Sequence, residues 1–136
     1  AVVAKDLTDV ILVAHSKGGL VGKRMLADDR DGRLRALIAI ATPFQGSSLA
    51  RLVPSRAIRA LSPDDPAIQD LAQRADLNSL VTSISPSFDP HIPDGSHLPG
   101  AVNVQVEAIG HFRILNDPDV LDAVVAAARR PPEPRR

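Results

Sequence analysis

Val10-Ile11-Leu12-Val13-Ala14-His15-Ser16-Lys17-Gly18-Gly19 is the stretch that decides the fold. Its first five residues are apolar at every position, so the strand they predict is apolar on both faces. Such a strand belongs in the middle of a parallel sheet with helices over both sides. The period then changes. Leu20, Val21, Met25 and Leu26 recur at helical spacing and predict a helix to about Ala27. A serine therefore sits on the turn between strand and helix. That turn brings backbone segments too close for bulky neighbours, and Ala14 and Gly18 stand two residues before and after it. The hydroxyl of Ser16 is expected to project above the carboxyl ends of the strands. The backbone N–H of Lys17 opens the helix, where N–H groups and the helix dipole stabilise a carbonyl oxygen that becomes negative.

Outward from this turn the chain keeps alternating. Asp28-Asp29-Arg30-Asp31-Gly32 is a polar break, and residues 34–41 are a second apolar run closed by Thr42-Pro43. Residues 49–61 and 66–75 read as helices, the second with an N-cap and a first-turn proline supplied by Asp64-Asp65-Pro66. Residues 80–85 are a third strand. Val102, Val104 and Val106 alternate with Asn103, Gln105 and Glu107, the pattern of a half-exposed strand near a sheet edge. Pro118 opens a last helix, with Val120, Leu121, Val124 and Val125 expected on its buried face. The order β-α-β-α-α-β-β-α predicts an α/β domain over residues 1–128, a mainly parallel sheet flanked by helices. Residues 129–136 form a charged, proline-stiffened tail, expected to be disordered.

Composition removes whole classes of function. In 136 residues, sixteen basic side chains cancel sixteen acidic ones, so no field of one sign attracts nucleic acid or an anionic membrane surface. The apolar runs are too short to span a bilayer, so no transmembrane segment is expected. Cysteine is absent, which excludes disulfides, a thiolate nucleophile and a cysteine zinc site. Gly18-Gly19-Leu20-Val21-Gly22-Lys23 fails as a phosphate loop, because the spacing is wrong and Arg24 stands where a hydroxyl must hold magnesium. Asp89, His91, Asp94 and His97 share one loop, but at no metal-ligand spacing, and read as solvated polar residues. No cofactor and no metal are expected.

Ala14-His15-Ser16-Lys17-Gly18 resembles the G-x-S-x-G elbow of the α/β-hydrolases, and among them of bacterial lipases and esterases, with Ala14 for the first glycine. Ala41-Thr42-Pro43-Phe44-Gln45-Gly46-Ser47 resembles the T-P-H-x-G-S segment of lipases, with Phe44 for the histidine. In that family the segment lies beside the nucleophile and shapes the acyl pocket. The three aromatics of the chain, Phe44, Phe88 and Phe112, flank these segments. Thr42, Pro43, Phe44 and Phe112 are accordingly the expected pocket residues. His111 follows Ile109-Gly110 between the alternating strand and the final helix, where the family carries its base. His15, beside the serine, reads as a packing or supporting residue. Ser87-Phe88-Asp89-Pro90-His91-Ile92-Pro93 resembles the family's D-x-x-V-P segment, which makes Asp89 the acid and Asp94 its rival.

The resemblance implies a Ser-Asp-His order with Ser16 as nucleophile, His111 as base, Asp89 as its orienter and Lys17 N–H as an oxyanion donor. The implied activity is hydrolysis of a small-molecule or lipid ester through an acyl-enzyme. The alternatives are an acyltransferase on the same residues and a non-catalytic remnant serving as an interaction module. The resemblance maps onto the second half of the family's domain, from the elbow onward. That implies a partial sheet whose earlier strands and second oxyanion donor lie upstream, and weak activity from this chain alone. It also leaves an apolar strand edge expected to drive self-association. The stretch 51–75 is a candidate lid or an ordinary pair of packing helices.

Overall fold

Parallel strands need covered faces and long crossovers, and both follow from where the apolar residues fall. The computed structural model describes residues 2–52 and 61–131. Its strands are β1 (Val10–His15), β2 (Leu34–Ile40), β3 (Val81–Phe88) and β4 (Val102–Ile109). They form one four-stranded sheet in the order β1-β2-β3-β4, with every pair parallel. Helix α1 (Lys17–Asp28) carries the first crossover. Helix α2 (Pro66–Gln73) and the 3-10 turns Ser48–Leu52 and Ala75–Leu80 lie in the second. A loop makes the third, and α3 (Pro118–Ala128) closes the chain. Asp65 and Asp117 cap α2 and α3 by accepting from Ala67 N and Asp119 N, with a proline in each first turn.

The sheet divides the core in two. Leu37 and Ala39 of β2 point to one face and pack with Leu20, Leu26, Ile68 and Leu71 of the two helices there. Ile38 and Ile40 point to the other and pack with Ile84, Val106, Ile114 and Val120. Apart from Arg35 near its start, β2 is apolar throughout, as a strand buried on both faces requires. β1 has the same kind of sequence but stands at the sheet edge among the described residues, with Val13 56% exposed. β4 forms the opposite edge. Val106 and Ala108 are buried there while Gln105 and Glu107 face out, as the alternation predicts.

Two boundaries and one helix face differ from the sequence reading. β3 runs to Phe88 and not to Ser85: Pro86 looks like a terminator, but the strand passes it through an irregular register between Pro86 and Phe88. α2 ends at Gln73, and the chain tightens into the 3-10 turn that follows. On α3 the buried residues are Val120 and Ala127, with Ala123 and Val124 half-buried, whereas Leu121 and Val125 are exposed. A helix advances about 100° per residue, so residues 121 and 125 fall one position round from that face. Of the helix expected over 49–61, residues 53–60 lie outside the described residues, as do residues 132–136 of the tail. The described part of the candidate lid, α2, packs into the core through Ile68 and Leu71.

The registers bring strand ends together. Ser16 N donates to Ile40 O at 2.8 Å and Ala41 N to Ile84 O at 2.8 Å, each extending a ladder by one step. Gly110 N donates to Phe88 O at 3.0 Å. The loops after all four strands therefore meet at one end of the sheet, where open α/β sheets bind ligands.

Candidate active site

Ser16 holds φ 53° and ψ −128°, a left-handed conformation that costs a non-glycine residue about 1–3 kcal/mol. The surrounding bonds hold it there. Its N–H is tied to β2, its carbonyl accepts from Gly19 N at 3.0 Å, and the Thr42 hydroxyl donates to the same carbonyl at 2.9 Å. Gly19 is required for this fit, because a Cβ there would run into the side chain of Thr42. The Ser16 hydroxyl does not cap α1. It is turned instead toward the loop after β4.

In that loop Gly110 takes φ 101°, a value that favours glycine, and delivers His111 back over the sheet end. His111 Nε2 lies 2.8 Å from Ser16 Oγ, and Nδ1 lies 2.7 Å from Asp89 Oδ2. Asp89 and His111 are both buried, at 8% and 7% exposure. A carboxylate oxygen only accepts, so Nδ1–H donates to Asp89 and the Nε2 lone pair faces the serine hydroxyl. The other Asp89 oxygen, Oδ1, accepts from His91 N at 2.8 Å. Both oxygens are thus engaged, which sets the carboxylate's orientation.

His15 supports His111 from the other side. Its Nε2–H donates to the His111 carbonyl at 2.8 Å, and the two rings sit 4.7 Å apart. Burial pushes the His15 imidazole below its ordinary pKa, against the opposing pull of the bond to the His111 carbonyl. The Phe112 ring stands edge-on to His111 at 5.0 Å and is 65% exposed, forming an apolar rim.

The remaining expected residues divide. Thr42, Pro43 and Phe44 are buried, with Phe44 in the core cluster beneath α1, so they support the elbow from below. Phe88 is exposed at the end of β3. Asp94, the rival acid, is engaged elsewhere, where its Oδ2 accepts from Ser48 N at 2.7 Å. Of the four loop residues weighed as metal ligands, Asp89 and His91 come together with His111, and their ligand atoms lie within 4.8 Å of one another. The hydroxyl of Thr42 and the carbonyl of His111 were missed by the sequence reading, because contacts to backbone atoms leave no mark in residue spacing. Two cavities adjoin the site. One of about 510 Å³ is lined by Phe88, Asp89, Ile92 and His97, and an apolar one of about 230 Å³ runs between Lys17, Leu20 and Val21 of α1 and Ala67, Ile68 and Leu71 of α2.

No family model and no curated protein matches the chain. Among solved structures, it is similar to an extracellular α/β-hydrolase from a Paenibacillus species, described as sharing structural and functional homology with tobacco salicylic acid binding protein 2. The TM-score is 0.57 at 15% identity, and the match covers 95% of this chain and 76% of that one. The likeness shows the fold, a parallel sheet flanked by helices of the α/β-hydrolase type, as the sequence predicts.

Proposed function

We propose that this chain is a serine hydrolase that cleaves carboxylic esters, with Ser16 as nucleophile, His111 as base and Asp89 as orienting acid. The observation that carries the reading is the pair of short contacts, Ser16 Oγ to His111 Nε2 at 2.8 Å and His111 Nδ1 to Asp89 Oδ2 at 2.7 Å. It is supported by the strained serine backbone, which the fold holds in place, and by a hydroxyl that does not cap its helix.

In this reading Ser16 Oγ attacks the acyl carbon as its proton passes to His111 Nε2. The carbon–oxygen bond to the alcohol then breaks, and His111 returns that proton to the departing oxygen. Water repeats the sequence. Its proton goes to Nε2, its oxygen bonds to the acyl carbon, and Ser16 regains a proton as the acid leaves. Asp89 keeps Nδ1 protonated and stabilises the imidazolium. The Lys17 N–H, at the first position of α1, donates to the oxyanion. The apolar cavity beginning at Lys17 suits the acyl chain, and the Phe112 rim suits the alcohol side. The open edge of β1, with Val13 exposed, supports association between copies of the chain.

Hydrolysis of p-nitrophenyl esters tests the reading. Ser16→Ala should lower kcat by roughly 10⁶-fold with the circular dichroism spectrum unchanged. Activity surviving within tenfold would refute it.

A further inference from the structure

The loop after β3 gives Asp89 a second neighbour that the ester chemistry does not use. The His91 ring is 61% exposed, its Nδ1 lies 3.7 Å from Asp89 Oδ1, and its centroid lies 5.1 Å from that of His111. One ligand atom each from Asp89, His91 and His111 falls within 4.8 Å of the other two. We propose that these three residues form a site for a zinc-like divalent ion, and that the ion switches off Ser16. The binding half stands by itself, while the inactivation half rests on the reading of Ser16 as nucleophile.

Two imidazole nitrogens and one carboxylate oxygen suit Zn²⁺ and not the oxygen-seeking Mg²⁺ or Ca²⁺. Bond lengths of about 2.0–2.2 Å put tetrahedral zinc ligands roughly 3.4 Å apart. The separation of Asp89 Oδ1 from His91 Nδ1 is already close to that. Rotation of the His91 ring, 61% exposed and resting against Phe112, closes the remainder. Asp89 Oδ1 keeps the His91 N–H at 2.8 Å, while Oδ2, now 2.7 Å from His111 Nδ1, gives up that contact and moves aside as the ion takes the nitrogen. The fourth position is left to water. Asp94 stays outside the set, on Ser48 N.

Nδ1 is the His111 nitrogen that faces Asp89. An ion bound there takes the Nδ1 lone pair, and the hydrogen that Nδ1 carried moves to Nε2. His111 remains neutral but now points an N–H at Ser16 Oγ. It can donate to the hydroxyl and can no longer take its proton. The same carboxylate that holds the working tautomer thus anchors the ion that reverses it.

The test uses zinc chloride in a buffer free of chelators. Zinc binding is read by competition with a chromophoric chelator, and the state of the serine by its rate of labelling with a fluorophosphonate. The expected result is one ion per chain, labelling slowed at least about tenfold at saturation, recovery with EDTA, and no effect of Mg²⁺. His91→Ala keeps the backbone N–H and should label normally without zinc, yet need at least about tenfold more zinc for both readouts. Zinc binding that is absent or indifferent to His91→Ala would overturn the site. Undiminished labelling at zinc saturation would overturn the switch. Absence of labelling without zinc would overturn the nucleophile and the switch together, while binding lost in His91→Ala would still support the metal site.

Discussion

Replacing Asp89 by asparagine exchanges one oxygen for an NH₂ and, on this geometry, reverses the tautomer of His111, the proposed base. The two carboxylate oxygens have fixed and different partners: Oδ1 accepts from the His91 backbone N–H at 2.8 Å, and Oδ2 accepts from His111 Nδ1 at 2.7 Å. An asparagine has one acceptor and one donor to place on them. The backbone N–H cannot become an acceptor, whereas imidazole can exchange tautomers, so the carbonyl goes to His91 and the NH₂ to His111. The opposite orientation sets two donors against each other in a buried place, at about 1–3 kcal/mol. His111 then carries its hydrogen on Nε2, facing Ser16, and the proposed nucleophile is left without its proposed base. A wrong tautomer in such a relay lowers kcat by about 10⁴-fold, with the fold intact. Asp94→Asn is the control. Its oxygen accepts one backbone N–H, which an amide carbonyl also does, so kcat should fall less than about threefold. Ester hydrolysis by both variants, with thermal melting to verify folding, decides the matter. Asp89→Asn within tenfold of the parent, or a larger loss in Asp94→Asn, would refute the reasoning.

His15→Phe keeps a ring against His111 and deletes the bond to its carbonyl, so kcat should fall about tenfold and stability by about 1 kcal/mol, read by kinetics and chemical denaturation. Lys23 is buried in α1 with Nζ donating to Leu71 O at 2.8 Å, and burial lowers its pKa to about 8 against the opposing field of Asp76. Its folded value lies below the unfolded 10.5, so the unfolded chain binds more protons in that window and stability should rise as pH goes from about 8 to 10.5. Lys23→Met should flatten that rise in denaturation curves, and a slope unchanged by the substitution would contradict it. Val13→Lys places a charge on β1, the edge strand among the described residues, and sedimentation should show less association than the parent chain.

What the sequence discloses follows from which forces are local. The apolar run at 34–41, broken only by Arg35, and the alternation at 102–107 were legible, because sheet burial writes its period directly into the residues. The strand expected over 80–85 stopped short, because the ladder with β4 continues past Pro86 through an irregular register. The position of β1 was not legible from its own residues: β1 and β2 are alike in composition, and only pairing tells an edge from a centre. Leu121 and Val125 are as apolar as Val120 and Val124, and helix rotation alone separates them. At the site, Ser16, Asp89 and His111 each stand just past a strand, a placement the sequence carries. The hold of Thr42 on the Ser16 carbonyl and of His15 on the His111 carbonyl depends on register between distant strands, which no spacing encodes. Phe44 shows the converse error, an aromatic expected in a pocket wall that serves the core.

The central claim is that Ser16 is an activated nucleophile, and the most direct measurement is covalent capture. The purified chain is incubated with a fluorophosphonate at neutral pH, and the adduct is located by intact mass and peptide mapping. One adduct per chain, on the peptide carrying Ser16 and abolished in both Ser16→Ala and His111→Ala, is the predicted result. No adduct on a folded chain, or an adduct on another serine such as Ser47 or Ser85, would contradict it.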